Sequence, residues 1–349
     1  MNAKVMIASS GGVDSTVACF LLKEKGYKCI SATIKTWPKD ECGKSGNKLC
    51  CSLDAIDSAR GVAGKLSIPH YVFDFSLEFK ERIRDYCTGE YEMGRTPNPC
   101  ILCNSEIKFG LLLKKAKELG CDFIASGHYA RISFNKIKKI YSIKKGLDKG
   151  KDQSYFLFNL TQDMLKHIIF PLGPLLKENV RRIAKKANLK SQDRKSSQDI
   201  CFEIERKNGE RGDVEFTDGG KIGMHNGISH YTLGQRRGLG IAYKEPLYVT
   251  RIDAVNNIIS VGTKRDTLKK ALSANNVNWI SNATRAAFRA KAKIRYGSKE
   301  AACLVKPFGA NEIEVIFDKP QASPAPGQAV VLYKGDAVLG GGWIKEVLQ

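Results

Sequence analysis

The chain has 349 residues, 42% of them hydrophobic, which favours two or three domain cores over one. Lysine and arginine total 57 against 36 for aspartate and glutamate, and this surplus of 21 positive charges makes nucleic acid the leading class of partner. A membrane-spanning helix is excluded, because no apolar run approaches the roughly 18 residues that one requires. An apolar strand that begins by residue 4 leaves no room for a signal peptide, so we expect a cytoplasmic protein without a membrane partner.

The first predicted elements are a strand over Val5–Ala8 and a helix from about residue 15 to 25, joined by Ser-Gly-Gly-Val-Asp-Ser at Ser10–Ser15. A strand that turns through glycines into a helix leaves backbone N–H groups at the positive end of the helix dipole. The glycines let an anion approach the backbone closely, and Asp14 could hold Mg²⁺ beside bound phosphates. The alternative is an ordinary glycine turn with Asp14 as the helix N-cap. The rarity of the pattern at such a junction favours a phosphate cradle.

Strands and helices alternate through the next hundred residues. The predicted order is a buried strand over 29–34, helices at 53–65 and from 77, with a strand over 70–75 between them, then a helix at 105–119 and a strand over 122–125. This alternation predicts an α/β fold with a doubly wound parallel sheet, whose ligands bind beyond the carboxyl ends of the strands. Ser10–Ser15 and Ser-Gly-His at 126–128 both fall at such ends.

The second half of the chain has a different pattern. A lysine-rich stretch at 133–151 is expected to form a hairpin and loop, and helical segments follow to about residue 190. Short alternating runs such as 247–250 and 258–261 then predict an antiparallel β domain, and runs at 288–294, 312–317 and 329–333 predict a second, barrel-like one. We therefore predict one α/β domain followed by two smaller β domains, at 1–206, 207–271 and 272–349.

Two of the 11 cysteines, Cys100 and Cys103, stand at Cys-x-x-Cys spacing after the proline-stiffened loop 96–99. Asn104 or Ser105 is expected to cap the helix that follows, and the dipole of that helix would lower the pKa of a neighbouring thiol. A thiol of this kind is a nucleophile. Structural disulfides are not expected, because the cytoplasm keeps thiols reduced.

A further cysteine, Cys201, lies in a polar loop among basic residues, which also favour the thiolate. Spacing alone leaves four interpretations of the cysteines open. They are catalytic thiols, a structural zinc site formed by Cys100 and Cys103 with Cys50 or Cys51, a thioredoxin-like redox pair, and inert buried side chains.

Ser-Gly-Gly-x-Asp-Ser is the signature of the PP-loop ATP pyrophosphatases, and the whole chain resembles one class of these enzymes, the tRNA-specific 2-thiouridylases. The resemblance implies an adenine nucleotide alpha hydrolase-like fold and cleavage of ATP between its α- and β-phosphates. It also implies replacement of oxygen by sulfur on the wobble uridine of tRNA. The similar segments, besides the PP-loop, are Gly-Arg-Thr-Pro-Asn-Pro at 94–99, Leu-Cys-Asn at 102–104, Gly-His-Tyr at 127–129, Lys-Asp-Gln-Ser-Tyr-Phe at 151–156, Ile-Cys-Phe at 200–202, the run at 230–240, Arg-Tyr at 295–296, Pro-Gly-Gln at 326–328 and Leu-Gly-Gly-Gly at 339–342.

The resemblance further implies roles for individual residues. Cys201 would receive sulfur as a persulfide from a partner, either a persulfide carrier or a cysteine desulfurase. Cys103 would act as the nucleophile that forms a disulfide with Cys201 as sulfur is released. The positions that match ATP contacts are Ala8, Ser9, Ser10, Gly11, Gly12, Val13, Asp14, Ser15, Ile34 and Gly127; those that match tRNA contacts are Asn98, Pro99, Cys100, His128, Lys151, Asp152, Gln153, Arg295, Tyr296 and Gln328.

The chain departs from the family pattern at Cys100, where many relatives carry an aspartate that is a candidate acid or base near the uridine. A thiol at this position cannot take over the acid or base role of the carboxylate unchanged. Cys100, Cys103 and Cys201 could instead hold an iron-sulfur cluster with one iron open to sulfide, because soft thiolates favour such a site. The cluster and the persulfide relay both stay open, and Cys50 and Cys51 have no assigned role.

Two other functions remain as alternatives. A PP-loop ligase or amidotransferase acting on a small metabolite would leave the surplus of positive charge without a role. A zinc-stapled RNA-binding module would bind RNA without cleaving ATP. Individual residues also have ordinary interpretations: His128 as a satisfied polar residue, Tyr296 as a core residue and Lys151–Gln153 as a solvated turn.

Overall fold

The computed structural model describes residues 2–37, 53–189, 202, 206, 209–281, 286–309 and 311–348. Cys50, Cys51 and Cys201 lie outside these residues. The chain divides into two compact units: the first is Met1–Ile83, Cys100–Glu203 and Gly335–Val338, and the second is Arg84–Pro99, Ile204–Lys334 and Leu339–Gln349. The three domain ranges given above stay predictions.

The elements follow in chain order. The helices are α1 (Val13–Glu24), α2 (Leu53–Lys65), α3 (Ser76–Phe79), α4 (Tyr86–Glu92), α5 (Pro99–Leu102), α6 (Leu112–Glu118), α7 (Gln162–Leu165) and α8 (Lys177–Lys186), with π-helical turns at Lys80–Asp85 and Cys103–Leu111 and 3₁₀ turns at Ser154–Leu157 and Ile228–His230. The strands are β1 (Lys4–Ala8), β2 (Lys28–Lys35), β3 (His70–Asp74), β4 (Phe123–Ser126), β5 (Ala130–Asn135), β6 (Ile140–Lys145), β7 (Ile168–Ile169), β8 (Gly212–Phe216), β9 (Lys221–His225), β10 (Tyr248–Asp253), β11 (Ile258–Gly262), β12 (Leu268–Trp279), β13 (Phe288–Lys293), β14 (Ala301–Phe308), β15 (Glu312–Ala322), β16 (Ala329–Lys334) and β17 (Ala337–Leu348).

A parallel sheet of order β3-β2-β1-β4-β7 forms the centre of the first unit, which confirms the predicted doubly wound sheet. Val5, Met6 and Ile7 of the middle strand β1 are fully buried, as expected for a strand covered on both faces. The chain passes from β1 to β2 and β3 on one side and then crosses to β4 on the other. The carboxyl ends of β1 and β4 therefore form the switch point at which open α/β sheets bind ligands.

Helix α1 lies between two apolar clusters of the first unit. Ala18 and Leu22 pack with β1 and β2 in one cluster. Val13 and Val17 pack in the other cluster with Tyr129 and with side chains of α8. The start of α1 is thereby held against the residues that follow β4 and against α8.

The second unit contains two β structures. The first is a sheet of order β10-β11-β8-β9, in which β11 and β8 are parallel, so the prediction of a purely antiparallel domain is wrong for this pair. The long connection from β8 to β11 permits the crossover that a parallel pair requires. The second runs in the order β12-β15-β14-β13-β16-β17 and closes through pairing of β12 with β17. Its interior is filled by apolar residues such as Val305, Val315 and Leu332. None of the helices in the described part of the chain is long and apolar enough to cross a membrane.

Candidate active site

The loop Ser10–Ser15 connects the carboxyl end of β1 to the first turn of α1. Gly12 occupies the N-cap position and offers no side-chain cap, so the alternative in which Asp14 caps the helix is wrong; Asp14 lies within the first turn. The Ser15 hydroxyl donates to the Gly12 carbonyl at 3.0 Å and accepts from the Ser10 N–H at 3.2 Å. A helix start without a side-chain cap presents N–H donors that an anion can satisfy.

The two glycines of this loop differ in what the protein requires of them. Gly11 has a φ of +70°, and a Cβ there would lie 2.5 Å from the Ala55 carbonyl oxygen of α2. Gly12 has an ordinary φ of −85°, and its Cβ would meet nothing closer than the Ser10 Oγ at 3.6 Å. The fold therefore requires glycine at 11. Glycine at 12 leaves an open space over the loop, which suits a ligand.

Polar side chains beneath the loop hold it to β2. The Ser9 N–H donates to the Ala32 carbonyl at 2.8 Å, and the Thr33 hydroxyl donates to the Ser9 carbonyl at 2.7 Å. The Ser31 hydroxyl donates to the Ser9 hydroxyl at 2.9 Å. Ile34 is buried in the same strand, close to its end. The structure thus brings the predicted residues of β1 and β2 to one end of the sheet.

Gly127, which follows β4, lies against the start of α1. A Cβ at this position would be 2.8 Å from the Asp14 carbonyl carbon and 2.9 Å from the Ser15 nitrogen. Only glycine permits so close an approach of two backbones. The predicted Gly127 and the loop Ser10–Ser15 therefore occupy the same site.

Two partners of Asp14, Lys177 and Tyr129, were not predicted from the sequence. The Lys177 ammonium at the start of α8 donates to both Asp14 carboxylate oxygens, at 2.6 and 2.7 Å, and the Tyr129 hydroxyl donates to Oδ1 at 2.8 Å. The carboxylate is thus paired with an ammonium, and its magnesium role stays a prediction. The one sequence feature that points to Lys177 is its position as a lysine directly after the largely apolar run 168–176.

His128 is partly exposed and packs beside two aromatic rings. Its ring lies 5.8 Å from that of Phe109 and 5.7 Å from that of Phe170, and its Nδ1 is 2.7 Å from the Ser126 hydroxyl. Burial, and next the Lys108 ammonium, lower the pKa of His128 well below its ordinary value of 6.5. At neutral pH the imidazole is therefore uncharged, and it can accept or donate a hydrogen bond rather than attract an anion.

The depressed pKa of His128 predicts a pH dependence of stability. The unfolded chain takes up a proton near pH 6.5 at this residue and the folded chain does not, so stability is complete above that pH and decreases as the pH falls below it. We expect His128→Gln to remove part of this decrease, by up to about 1.4 kcal/mol per pH unit. Urea unfolding of both proteins between pH 7.5 and 5 measures the difference; equal slopes would contradict the burial argument.

The loop at Lys151–Gln153 has structural contacts that explain its shape. The Gln153 side-chain oxygen accepts from the Tyr129 N–H at 3.1 Å, and the Gln153 N–H donates to the Tyr129 carbonyl at 2.9 Å. Asp152 accepts from the Gly146 N–H at 2.9 Å and from the Ser154 hydroxyl at 2.9 Å. These contacts hold the loop beside the residues that follow β4.

Cys100 and Cys103 lie within the first turns of a helix rather than before it. The helix begins at Pro99 in α5 and continues through the π-helical turn to α6, so the prediction that Asn104 or Ser105 caps it is wrong. Proline is favoured at a first helical position, which explains the earlier start. The Asn104 side chain is instead buried and donates to the Phe156 carbonyl at 3.3 Å. Both thiols are partly exposed.

The remaining predicted residues belong to the second unit. The Gln328 side-chain nitrogen donates to the carbonyls of Thr96 and Pro97, at 3.0 and 3.2 Å, and thereby holds the loop that contains the buried Asn98. The Arg295 guanidinium donates to the Ala322 carbonyl at 2.7 Å and to that of Ser323 at 3.0 Å, and the Tyr296 ring lies under Lys293. Gln328 therefore contacts the loop that contains Asn98, whereas Arg295 and Tyr296 follow β13.

Within the described ranges, no three or more His, Cys, Asp or Glu side chains form a group that could hold a metal ion. Cys201, Cys50 and Cys51 lie outside those ranges. The zinc interpretation and the iron-sulfur interpretation therefore stay predictions.

Three family models together match almost the whole chain. The model described as "tRNA methyl transferase HUP domain" matches residues 3–205, and "tRNA methyl transferase PRC-barrel domain" matches residues 203–263. "Aminomethyltransferase beta-barrel domain" matches residues 269–344. The order of these matches agrees with an α/β unit followed by two β structures.

Curated relatives match over their full length. A protein of Acetivibrio thermocellus named tRNA-specific 2-thiouridylase MnmA is 46% identical over 355 residues, which cover 98% of this chain and 99% of the relative. The protein of the same name from Clostridioides difficile is 44% identical over 100% of this chain and 99% of its own. A protein of Caldanaerobacter subterraneus subsp. tengcongensis named tRNA-specific 2-thiouridylase MnmA 1 is 45% identical over 100% of both chains.

Proposed function

The chain belongs to the tRNA-specific 2-thiouridylase family, and we propose that its PP-loop uses ATP to activate the wobble uridine for replacement of the 2-oxygen by sulfur. The enzyme is thus a tRNA-uridine 2-sulfurtransferase. The loop Ser10–Ser15 is the observation that supports ATP binding. It contains a helix start without a side-chain cap and the open space over Gly12. It also lies at the switch point of the sheet, where ligands bind.

The chemistry explains why ATP is needed. The carbon-2 carbonyl of uracil is a poor electrophile, and its oxygen is a poor leaving group. Attack of that oxygen on the α-phosphate of ATP forms the carbon-2 O–AMP bond and releases pyrophosphate. AMP is then a good leaving group, and a sulfur nucleophile can displace it. Backbone N–H groups of residues 10–15, with Ala8, Ser9, Ile34 and Gly127 around them, are the proposed ATP site.

In the persulfide relay, the terminal sulfur of a Cys201 persulfide attacks carbon 2 and AMP leaves. The Cys103 thiolate then attacks the Cys201 sulfur. The bond between that sulfur and the transferred sulfur breaks, a Cys103–Cys201 disulfide forms, and the thiouridine is released. The sulfane sulfur gains the two electrons that the cysteines lose. A dithiol reductant must therefore reduce one disulfide per turnover, and a persulfide carrier or cysteine desulfurase must reload Cys201.

An iron-sulfur cluster is the second mechanism for the same reaction. Cys100 and Cys103, three residues apart at the start of one helix and partly exposed, suit two ligands, and Cys201 would be the third. The group would supply sulfide at an open iron, without oxidation of the cysteines. Formation of one disulfide per thiouridine supports the relay, whereas stoichiometric iron that is lost in Cys100→Ala supports the cluster.

The 21 surplus positive charges suit the phosphate backbone of tRNA, which positions the RNA without reading its sequence. The tRNA set of Asn98, Pro99, Cys100, His128, Lys151, Asp152, Gln153, Arg295, Tyr296 and Gln328 is proposed on the family match. The neutral His128 in its aromatic surroundings suits contacts with an extruded base. We propose the cytoplasm as the compartment, because tRNA and ATP are both present there.

Incubation of the purified protein with tRNA, Mg-ATP and a sulfur source tests this function. Mass spectrometry of the nucleosides is expected to find 2-thiouridine, with one AMP and one pyrophosphate formed per thiouridine. AMP formation that needs no tRNA would instead indicate a ligase or amidotransferase acting on a small metabolite.

A further inference from the structure

Lys177 is a buried lysine in contact with Asp14 of the loop Ser10–Ser15. Its exposed fraction is 7%, and lysines are almost never this buried unless they are paired. The partner is Asp14, whose two carboxylate oxygens lie 2.6 and 2.7 Å from the ammonium. The Tyr129 hydroxyl donates to the same carboxylate at 2.8 Å. Burial and the Asp14 charge raise the pKa of Tyr129, so the phenol stays protonated and remains a donor.

These contacts hold a positive charge beside the phosphate cradle. Asp14 is the second residue of α1, so the Lys177 ammonium lies at the helix end whose N–H groups are proposed to bind phosphate. Lys177 is also the first residue of α8, and its own N–H donates to the Asp148 carboxylate at 2.9 Å. The Asp14 carboxylate balances the ammonium, and the Asp148 carboxylate balances the start of α8. The start of α1, which has no side-chain cap, is the helix end at which an anion would lie beside the Lys177 ammonium.

From this geometry we infer that Lys177 binds the β- and γ-phosphates of ATP, and afterwards the released pyrophosphate, and that Asp14 and Tyr129 position its ammonium. The inference rests on the proposed ATP-dependent function. It assigns Asp14 a positioning role towards the Lys177 ammonium. An ammonium is a mobile point charge with three donors, so it can turn towards phosphate oxygens without losing Asp14.

The opposing interpretation is that Lys177 only neutralises Asp14. Breaking a buried pair by removal of one partner leaves an uncompensated charge, whereas removal of both is often tolerated. The two interpretations therefore differ in the double variant Asp14→Asn with Lys177→Met. If Lys177 contacts phosphate, removing the Asp14 charge does not restore ATP binding.

Calorimetric titration with ATP, AMP and inorganic pyrophosphate, in EDTA so that no metal contributes, tests the inference on the full chain. We expect Lys177→Met to lower the affinity for ATP and for pyrophosphate about 10- to 100-fold, as for loss of a charged hydrogen bond. The affinity for AMP should fall less than about 3-fold. Lys177→Arg should keep most of the affinity for ATP. Lys185→Met, which removes the same charge from an exposed position of α8, should leave the affinities for ATP, AMP and pyrophosphate unchanged.

Three results would overturn the inference: equal weakening of ATP and AMP by Lys177→Met, unchanged binding of ATP, or recovery of ATP binding in the double variant. Thermal unfolding of each variant shows whether it is folded. Failure of the underlying function is a separate result, since it appears as wild-type protein that forms no 2-thiouridine from tRNA, Mg-ATP and a sulfur source.

Discussion

A Cys103→Ala protein is expected to form less than about 0.1% of the wild-type amount of 2-thiouridine, because loss of an essential nucleophile typically lowers turnover by three orders of magnitude or more. Cys103 lies in the π-helical turn that follows α5, outside the loop Ser10–Ser15. Pyrophosphate release in a single turnover should therefore remain within about tenfold of wild type. The measurement pairs nucleoside mass spectrometry with a pyrophosphate assay.

Cys121→Ala is the matched control for this prediction. Cys121 is buried, and burial raises the pKa of its thiol, so it stays protonated and unreactive. Thiolation should survive in this variant. Full activity of Cys103→Ala would refute a catalytic role for Cys103 in the relay and in the cluster alike.

A Gly12→Ala protein is expected to fold normally but to lose ATP binding. The added Cβ meets no protein atom closer than 3.6 Å and φ is −85°, so the free energy of unfolding should change by less than about 1 kcal/mol. The methyl group would occupy the space in which a phosphate approaches the backbone. We expect ATP affinity to fall at least about tenfold, the loss of roughly one charged hydrogen bond. Calorimetric titration and urea unfolding measure the two quantities.

Gly11→Ala supplies the contrast. Here the Cβ would lie 2.5 Å from the Ala55 carbonyl oxygen and φ is +70°, so we expect a loss of stability of about 1–3 kcal/mol. Gly120→Ala controls for the backbone conformation alone, because Gly120 has a φ of +68° with open space around it. Normal ATP binding by Gly12→Ala would mean that the ligand does not approach this part of the loop.

Local pattern was sufficient for most of the first unit. The strand, glycine loop and helix at residues 4–24 were predicted because apolar periodicity and glycines act within a few residues of each other. Local pattern places the start of the helix that carries Cys100 and Cys103 too late, because prolines are frequent in loops, although proline is also favoured in the first turn of a helix. A few residues of shift moved Cys100 and Cys103 from before the helix into it.

Contacts between distant residues could not be predicted in this way. Lys177 and Asp14 are 163 positions apart, and Gln328 and Thr96 are 232 apart, so no local periodicity relates them. The parallel pairing of β11 with β8 likewise depends on where the connecting chain crosses, which the alternation within each strand does not specify. The site residues that local pattern places correctly, Ser10–Ser15 and Gly127, follow strand ends, whose positions are set by the sheet itself.

Transfer of labelled oxygen tests the central claim most directly. A tRNA whose wobble uridine carries ¹⁸O at carbon 2 is incubated with the enzyme, Mg-ATP and a sulfur source, and the AMP is analysed by mass spectrometry. If the uracil oxygen attacks the α-phosphate, each thiouridine formed leaves its ¹⁸O in the phosphate of one AMP. Unlabelled AMP, with ¹⁸O in water or in pyrophosphate, would contradict activation of the uridine by adenylation.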